Sequence, residues 1–410
     1  MTRNSSLNSF NCSLLTPTIG YKRLTGKDFL MSFVFFAWLF CEMFFGHTII
    51  TQIALVAFCG LSFLFYFKTF CVKSAVSSKS FLFYSLFVSF VLLNIATGHA
   101  IDIELAKNMA ITLILNVVFI FSFLLFCSGI GSIFTVLKLY RNAVVFFCAI
   151  ILLLGFSSIG AGSRLSVLSQ NANDISIMAA NSLIITAYYY FAKKNRGLFS
   201  IVVPFLILLI TIVLTGSRTG LVLSVIGIFV LLILSKKTKA IIYVVVFGIV
   251  IVGIVYISQN NQTLYNIFGS RIEAMFLKLK GETVTDQSLN TRTKLIEMAW
   301  EKSQDSLFWG HGINCFKAVS GVTRYYAHSN YLELLFGTGW TGVIIYYFPY
   351  AMFFFFAIKN IKKDNLLILP FSLLCGFLVC EYFCETYYIR SQLLIPIIIL
   401  SFRDLKYKTF

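Results

Sequence analysis

Apolar runs of about 17–25 residues, each long enough for a spanning helix, follow one another through most of this chain, separated by short basic stretches. Spans are predicted at roughly 29–46, 48–67, 80–97, 109–127, 143–159, 175–192, 199–215, 219–235, 240–257, 341–358, 366–384 and 390–402. The pattern fails once, at 258–340, where the chain is polar at its start and carries eight basic and six acidic residues before His328. Within it, segments near 270–280 and 290–304 have helical periodicity; Leu295, Met298, Ala299 and Lys302 recur at three-to-four spacing. The expected fold is therefore an all-α polytopic membrane protein with about 12 transmembrane helices. It has spans 1–9 in residues 29–257, one large loop at 258–340 and spans 10–12 in 341–402. Loops of that length in a compact protein are usually functional.

Composition supports this and removes some alternatives. Hydrophobic residues make up 59% and charged residues 12% of the chain, about half the charge of a soluble domain. The net charge of +17 is distributed as clusters between apolar runs and forms no continuous basic face, which argues against a nucleic-acid partner. With the N-terminus inside, inner segments hold 21 of the 33 basic residues, whereas the short outer loops hold only Lys107, Arg164, Arg218 and Arg390. That asymmetry orients both termini, 1–28 and 403–410, toward the cytoplasm and the long loop outward. Residues 1–28 lack a compact apolar core with a small-residue cleavage site, so they read as a tail. Most of the ten cysteines, including Cys375 and Cys380, lie in apolar runs and read as small hydrophobes; Cys315 stands alone in the loop. No Cys-x-x-Cys occurs and four His are scattered, so no metal site is expected.

The residues able to do chemistry lie on the outer side. The loop after span five reads GAGSRLSVLSQNAND, with Arg164, Asn171, Asn173 and Asp174; the turn between spans seven and eight is TGSRTG. There Arg218 is either a snorkelling residue on a capping turn or a fork that grips phosphate beside a helix N-terminus. Arg271 and Arg292, taken singly, read as solvated surface residues, and His311 between two glycines is equally a turn residue or a catalytic one. His328, followed by Ser329, Asn330, Glu333 and three glycines, starts a helix expected to break at Gly337-Thr338-Gly339. It is a polar cap or a general base with a pKa close to working pH. Glu381 and Glu385, one turn apart at the end of span eleven, are expected to share a face near Arg390, and Glu42 lies in the outer half of span one. A cleft lined by Arg, His and Glu suits a lipid-linked pyrophosphate donor or an anion pathway.

His328-Ser329, nine residues, then Gly339-Trp340-Thr341-Gly342 resembles the His-[Asn/Ser/Gln]-x9-Gly-x-x-Gly signature of the O-antigen ligase and polymerase superfamily. The order of pieces agrees over roughly 155–358: an Arg loop with Asn-x-Asn, Gly-Ser-Arg between spans, a long Arg-bearing loop with Gly-His-Gly, then the His motif. The resemblance implies metal-independent glycosyl transfer at the periplasmic face of the bacterial inner membrane, from a glycan on undecaprenyl pyrophosphate and without a cofactor. It implies that Arg218 and Arg292 neutralise the pyrophosphate and that His328 deprotonates the acceptor hydroxyl, with inversion. Arg164 and Arg271 are further candidates on the donor, and Asn330, Glu333, Glu381, Glu385 and Arg390 for binding substrate. The run NYLELLF followed by a Tyr pair looks more like a polysaccharide polymerase, for O-antigen or capsule, than a ligase acting on lipid A–core. A chain-length regulator and a flippase of the same route are the implied partners. A flippase or transporter reading would need charges through the bundle interior, and a scaffold reading would make Arg218 and His328 dispensable. No internal repeat supports a two-fold transporter fold.

Overall fold

The computed structural model describes residues 25–46, 48–155, 164–165, 171–192, 199–235, 240–282, 286–321 and 325–406. Among the described residues a helix covers most of each predicted run, and the chain is an all-α polytopic membrane protein. The first six helices are α1 (Gly26–Phe45), α2 (Ile49–Tyr66), a short α3 (Thr69–Val76), α4 (Lys79–Ala96), α5 (Ile103–Ile130) and α6 (Ile133–Leu154). Then come α7 (Ala172–Ala192), α8 (Phe199–Leu214), α9 (Arg218–Leu234) and α10 (Ala240–Asn260). The long loop contains α11 (Ser270–Leu279) and α12 (Gln287–Ser303), and α13 (Asn330–Asn360), α14 (Ile368–Cys380) and α15 (Arg390–Lys406) complete the chain. Among the described residues, six of these helices are long and apolar enough to cross a membrane, and five shorter apolar helices stand beside them.

Several helices begin well before their apolar runs, because capping residues and not hydropathy set a helix start. Asp102 accepts hydrogen bonds from the Glu104 and Leu105 amides, starting α5 six residues ahead of the predicted 109. Ser132 does the same for α6 through the Thr135 amide. Large apolar side chains on α2, α4 and α5 (Ile53, Leu86 and Ile111 among them) face outward, as a lipid-bathed bundle requires. Inside, Phe35, Trp38, Phe58, Phe119 and Phe126 interlock α1, α2 and α5, with ring centroids 5.0–5.9 Å apart. Contact between helices here depends on close packing, since lipid is as apolar as the bundle. α7 is enclosed along most of its length, and α9 lies tight against it where Gly220 meets Ser176 and Gly227 meets Ile184.

α13 is broken where the sequence anticipates it: Gly339 has φ 61° and ψ −172°. The loop 307–312 captures the backbone groups freed there. The His311 amide donates to the Phe336 carbonyl at 2.8 Å, Gly312 to Gly337 at 2.9 Å, and Trp340 donates to the Leu307 carbonyl at 2.7 Å. A Cβ on Gly339 would stand 2.4 Å from the Phe308 carbonyl, and one on Gly310 would stand 2.5 Å from the Thr338 and Gly339 nitrogens. The backbone region of Gly339 is essentially restricted to glycine and costs other residues about 1–3 kcal/mol. Gly339→Ala therefore lowers the melting temperature of the detergent-purified protein, whereas Gly253→Ala, at an open position on α10, leaves it unchanged; equal melting of both variants would contradict this account of the break.

Candidate functional site

Arg164, Arg218, Arg271 and Arg292 come from four separate parts of the chain and converge at the end of the bundle that carries the long loop. The Gly-Ser-Arg turn makes this possible. Gly216 has φ 59°, and a Cβ on it would lie 2.2 Å from the Ile267 carbonyl. That close approach lets Ile267, Phe268 and Ile272 pack on Val213 and Leu221, docking α11 and its Arg271 beside Arg218. Asp286 then brings in α12. One carboxylate oxygen caps the helix by accepting from the Leu289 amide at 3.1 Å, and the other accepts from Arg218 Nη2 at 3.0 Å. Arg164 donates through Nε to the Thr215 carbonyl at 2.8 Å and through Nη2 to Asn173 at 3.3 Å. Asn171 accepts from the Asn173 amide, which accounts for the Asn-x-Asn spacing.

The electrostatics are lopsided. Burial first, then the charges of Arg271, Arg292 and Arg218, push the Arg164 guanidinium down to about 10, so it stays a cation near neutrality. Burial and Arg292 likewise lower Arg271, with Asp286 opposing. Burial works against the Asp286 carboxylate, but the Leu289 amide and Arg218 and Arg271 outweigh it and hold its pKa below the usual range. Among the described residues Asp286 makes the only ion pair within this cluster, so one anion faces four cations. Arg218 Nη1 is buried without a hydrogen-bond partner. The arrangement is suited to a multiply charged anion such as a pyrophosphate.

His328 sits within electrostatic reach of Arg292, half-buried, in the left-handed region at φ 56°. Its Nδ1 is buried without a partner, and its ring centroid is 4.2 Å from that of Tyr326 and 6.1 Å from that of the exposed Tyr325. Burial, then Arg292, lower its pKa to about 4. The expectation of a pKa near working pH is thus corrected: burial and Arg292 hold the imidazole neutral and make it a weaker base than a free histidine. Its position is set from beneath. Glu333, fully buried, accepts from the Ala327 amide at 2.9 Å, and the Asn330 amide donates to the Glu381 carbonyl at 2.8 Å.

Other expected binding residues serve the scaffold. Asn330 is fully enclosed: its Nδ2 donates to Tyr347 and Glu381, and its Oδ1 accepts from the Thr386 and Tyr387 amides. No polar atom of that side chain is left for a substrate. Glu381 and Glu385 do not share a helix face, because α14 ends at Cys380 and the chain turns. Glu381 bonds Asn330, Tyr347 and Thr386, whereas Glu385 meets Glu333 and Tyr388. Arg390 donates to Asn116 at 2.9 Å inside the bundle, and Glu42 is buried in α1. His311 is a turn residue, its ring on Phe336 at 4.8 Å and its Nε2 on the Lys302 carbonyl. Sequence reasoning missed Asp286, although an Asp three residues before Leu289 at a helix start is a readable cap. It also missed the ring of Tyr326.

Fold and site define a polytopic α-helical membrane protein with a strongly cationic cluster beside a neutral histidine. Residues 203–347, less than half of the chain, match a family model described as O-antigen ligase, in keeping with the resemblance carried by the His328 motif. The match contains Arg218, Arg271, Arg292 and His328 and stops short of Arg164 and of the Glu381–Arg390 turn. Members of that family are glycosyltransferase-like enzymes of O-antigen synthesis. No curated protein matches the chain.

The electrostatic coupling has a direct readout. Neutralising Arg292 removes one of the two causes that depress His328, so in Arg292→Gln its imidazole titrates above 4, toward the ordinary 6.5. Histidine NMR titration, with the resonance assigned by His328→Gln, measures the shift; a titration at 6.5 in the parent protein would refute the burial and coupling together.

Proposed function

We propose that the chain is an O-antigen or capsular polysaccharide polymerase. It joins repeat units carried on undecaprenyl pyrophosphate, at the periplasmic face of the bacterial inner membrane, by metal-independent inverting transfer. The observation that carries this reading is the convergence of Arg164, Arg218, Arg271 and Arg292 around one carboxylate, with His328 at their edge. The acceptor hydroxyl of one repeat unit attacks the anomeric carbon of another. The bond from that carbon to the pyrophosphate oxygen breaks, and the electron pair leaves with the pyrophosphate. The guanidiniums stabilise the charge developing on the leaving group, the role of a preorganised electrostatic site. His328 takes the acceptor proton, and bound pyrophosphate offsets Arg292 so that the imidazole becomes a better base as the donor arrives. Tails at both ends of the chain lie in the cytoplasm in this reading, and a flippase and a chain-length regulator act beside the enzyme.

A second reading, the ligase that transfers finished polymer to lipid A–core, is favoured by the description of the matching family model. Gel analysis of lipopolysaccharide from a deletion strain separates the two. The polymerase reading expects core bearing a single repeat unit; unsubstituted core with polymer held on the carrier lipid would establish the ligase instead.

In the same strain, His328→Ala and Arg218→Ala each abolish long-chain polysaccharide, with initial rates down about 10²–10³-fold, the usual effect of removing one transition-state charge contact. Arg218→Lys keeps the charge but loses the fork and recovers only part of the activity. Full-length polymer from either alanine variant, expressed at parental level, would sink the enzymatic assignment.

A further inference from the structure

At the end of α14 the chain folds back on itself. The Tyr382 and Phe383 amides donate to the Val379 and Cys380 carbonyls, and Cys384 is thereby returned to Cys380. The two sulfurs are 3.3 Å apart, and the Cys384 thiol also points at the Cys380 carbonyl at 3.2 Å. Both side chains are buried. Among the described residues no other two sulfurs come within hydrogen-bonding reach. A disulfide brings its sulfurs to about 2.05 Å, so closing this one takes a shift of little more than an ångström. Cysteine in an apolar run reads as a small hydrophobe, and the pairing becomes visible only once α14 is seen to stop at Cys380.

The turn these residues bracket is the one that seats the His motif. Glu381, between them, accepts the Asn330 amide on its carbonyl and the Asn330 side chain and Tyr347 hydroxyl on its carboxylate. Thr386 and Tyr387, just beyond Cys384, donate their amides to Asn330 Oδ1. Asn330 begins α13 two residues after His328.

We propose that Cys380 and Cys384 are joined in the native protein by a disulfide that clamps this turn under Asn330 and so holds His328 in place. The proposal rests on the outward orientation of the 381–389 turn in the functional reading above, because only an oxidising compartment sustains such a bond. The oxidant is a protein or small-molecule disulfide. One cysteine, as its thiolate, attacks a sulfur of the oxidant to give a mixed disulfide, and the second cysteine displaces it. Two electrons pass to the oxidant, which leaves as two thiols carrying the two protons. Both sulfurs are buried in the finished fold, so oxidation belongs to assembly, before α13 closes over the turn.

The test uses the full-length protein in membranes from cells grown without reductant. Membranes are dissolved in denaturant with a thiol alkylator present, and the peptide spanning Cys380 and Cys384 is examined by mass spectrometry. The expected peptide is unalkylated and two hydrogens lighter than the dithiol, and takes up two alkyl groups only after reduction. Alkylation of both cysteines without prior reduction overturns the proposal. For the clamp itself, parent protein from cells grown with dithiothreitol, in which the pair is never oxidised, melts lower than parent protein from untreated cells, whereas the Cys380→Ser/Cys384→Ser variant melts alike from both; an equal response in the two proteins overturns that part. Orientation is checked separately by adding Tyr382→Cys, an exposed position in the turn, to the double-serine variant. Labelling by a membrane-impermeant maleimide from the periplasmic side of spheroplasts, together with free thiols at 380 and 384, sinks the disulfide and leaves the proposed topology standing. Labelling only from the cytoplasmic side sinks both.

Discussion

A helix interrupted inside an apolar bundle exposes backbone donors and acceptors that water cannot reach, and much of the site depends on how this chain satisfies them. At membrane depth, irregular backbone survives only where protein supplies the missing partners. The break at Gly339 meets this constraint by importing loop 307–312, whose amides and carbonyl replace the lost helical bonds. The same three hydrogen bonds do positional work. They pin the segment that follows α12, so α12 lies against the bundle and its Arg292 comes near His328. Glycine at 310 and 339 is required by contact as much as by torsion, since the two backbones approach too closely for a Cβ.

Packing also explains how like charges come to be neighbours. Four guanidiniums would separate in a flexible chain, because at an effective dielectric near 20 a pair at 4 Å repels by about 4 kcal/mol. Here each is tied to a structural contact that does not depend on its charge: the Gly216–Ile267 approach, the Asp286 cap, and the Arg164 bond to the Thr215 carbonyl. Asp286 relieves part of the repulsion and is the one counter-charge in the cluster among the described residues. In the proposed reaction a doubly charged leaving group would bind such a cluster chiefly by relieving the remainder, so the interaction would grow as negative charge accumulates on it during transfer.

The membrane character of the chain was legible from hydropathy alone, and among the described residues a helix covers most of each predicted run, because burial in lipid needs little beyond a sufficient apolar length. Helix starts were not legible from the same signal: α5 and α6 extend to Asp102 and Ser132, where side-chain caps act on a few residues and leave no trace in hydropathy. The arginines and His328 could be found because charges and a glycine-flanked motif are conspicuous in an apolar sequence. The roles of their neighbours could not. Asn330 and Glu381 look like ligand contacts by residue type, yet their bonding atoms are taken up by groups at 347, 386 and 387 that only tertiary structure brings near. Glu381 and Glu385 were expected on one helical face because four-residue spacing is helical by default; the end of α14 at Cys380 sends them to different partners.

In the mechanism we propose, the depressed basicity of His328 sets an order of events. Before the donor arrives, Arg292 and burial keep the imidazole neutral, so it is not protonated in advance and stays able to accept a proton. A base that weak contributes little driving force by itself. Once pyrophosphate occupies the guanidiniums, the field of Arg292 at the imidazole is offset, and proton affinity rises in the state where an acceptor hydroxyl can be attacking. On that proposal, base strength is linked to occupancy of the donor site, and the free protein would have little tendency to activate water. The proposed link would assign most of the acceleration to the arginines and to positioning, with His328 removing a proton from a hydroxyl already committed to the new bond.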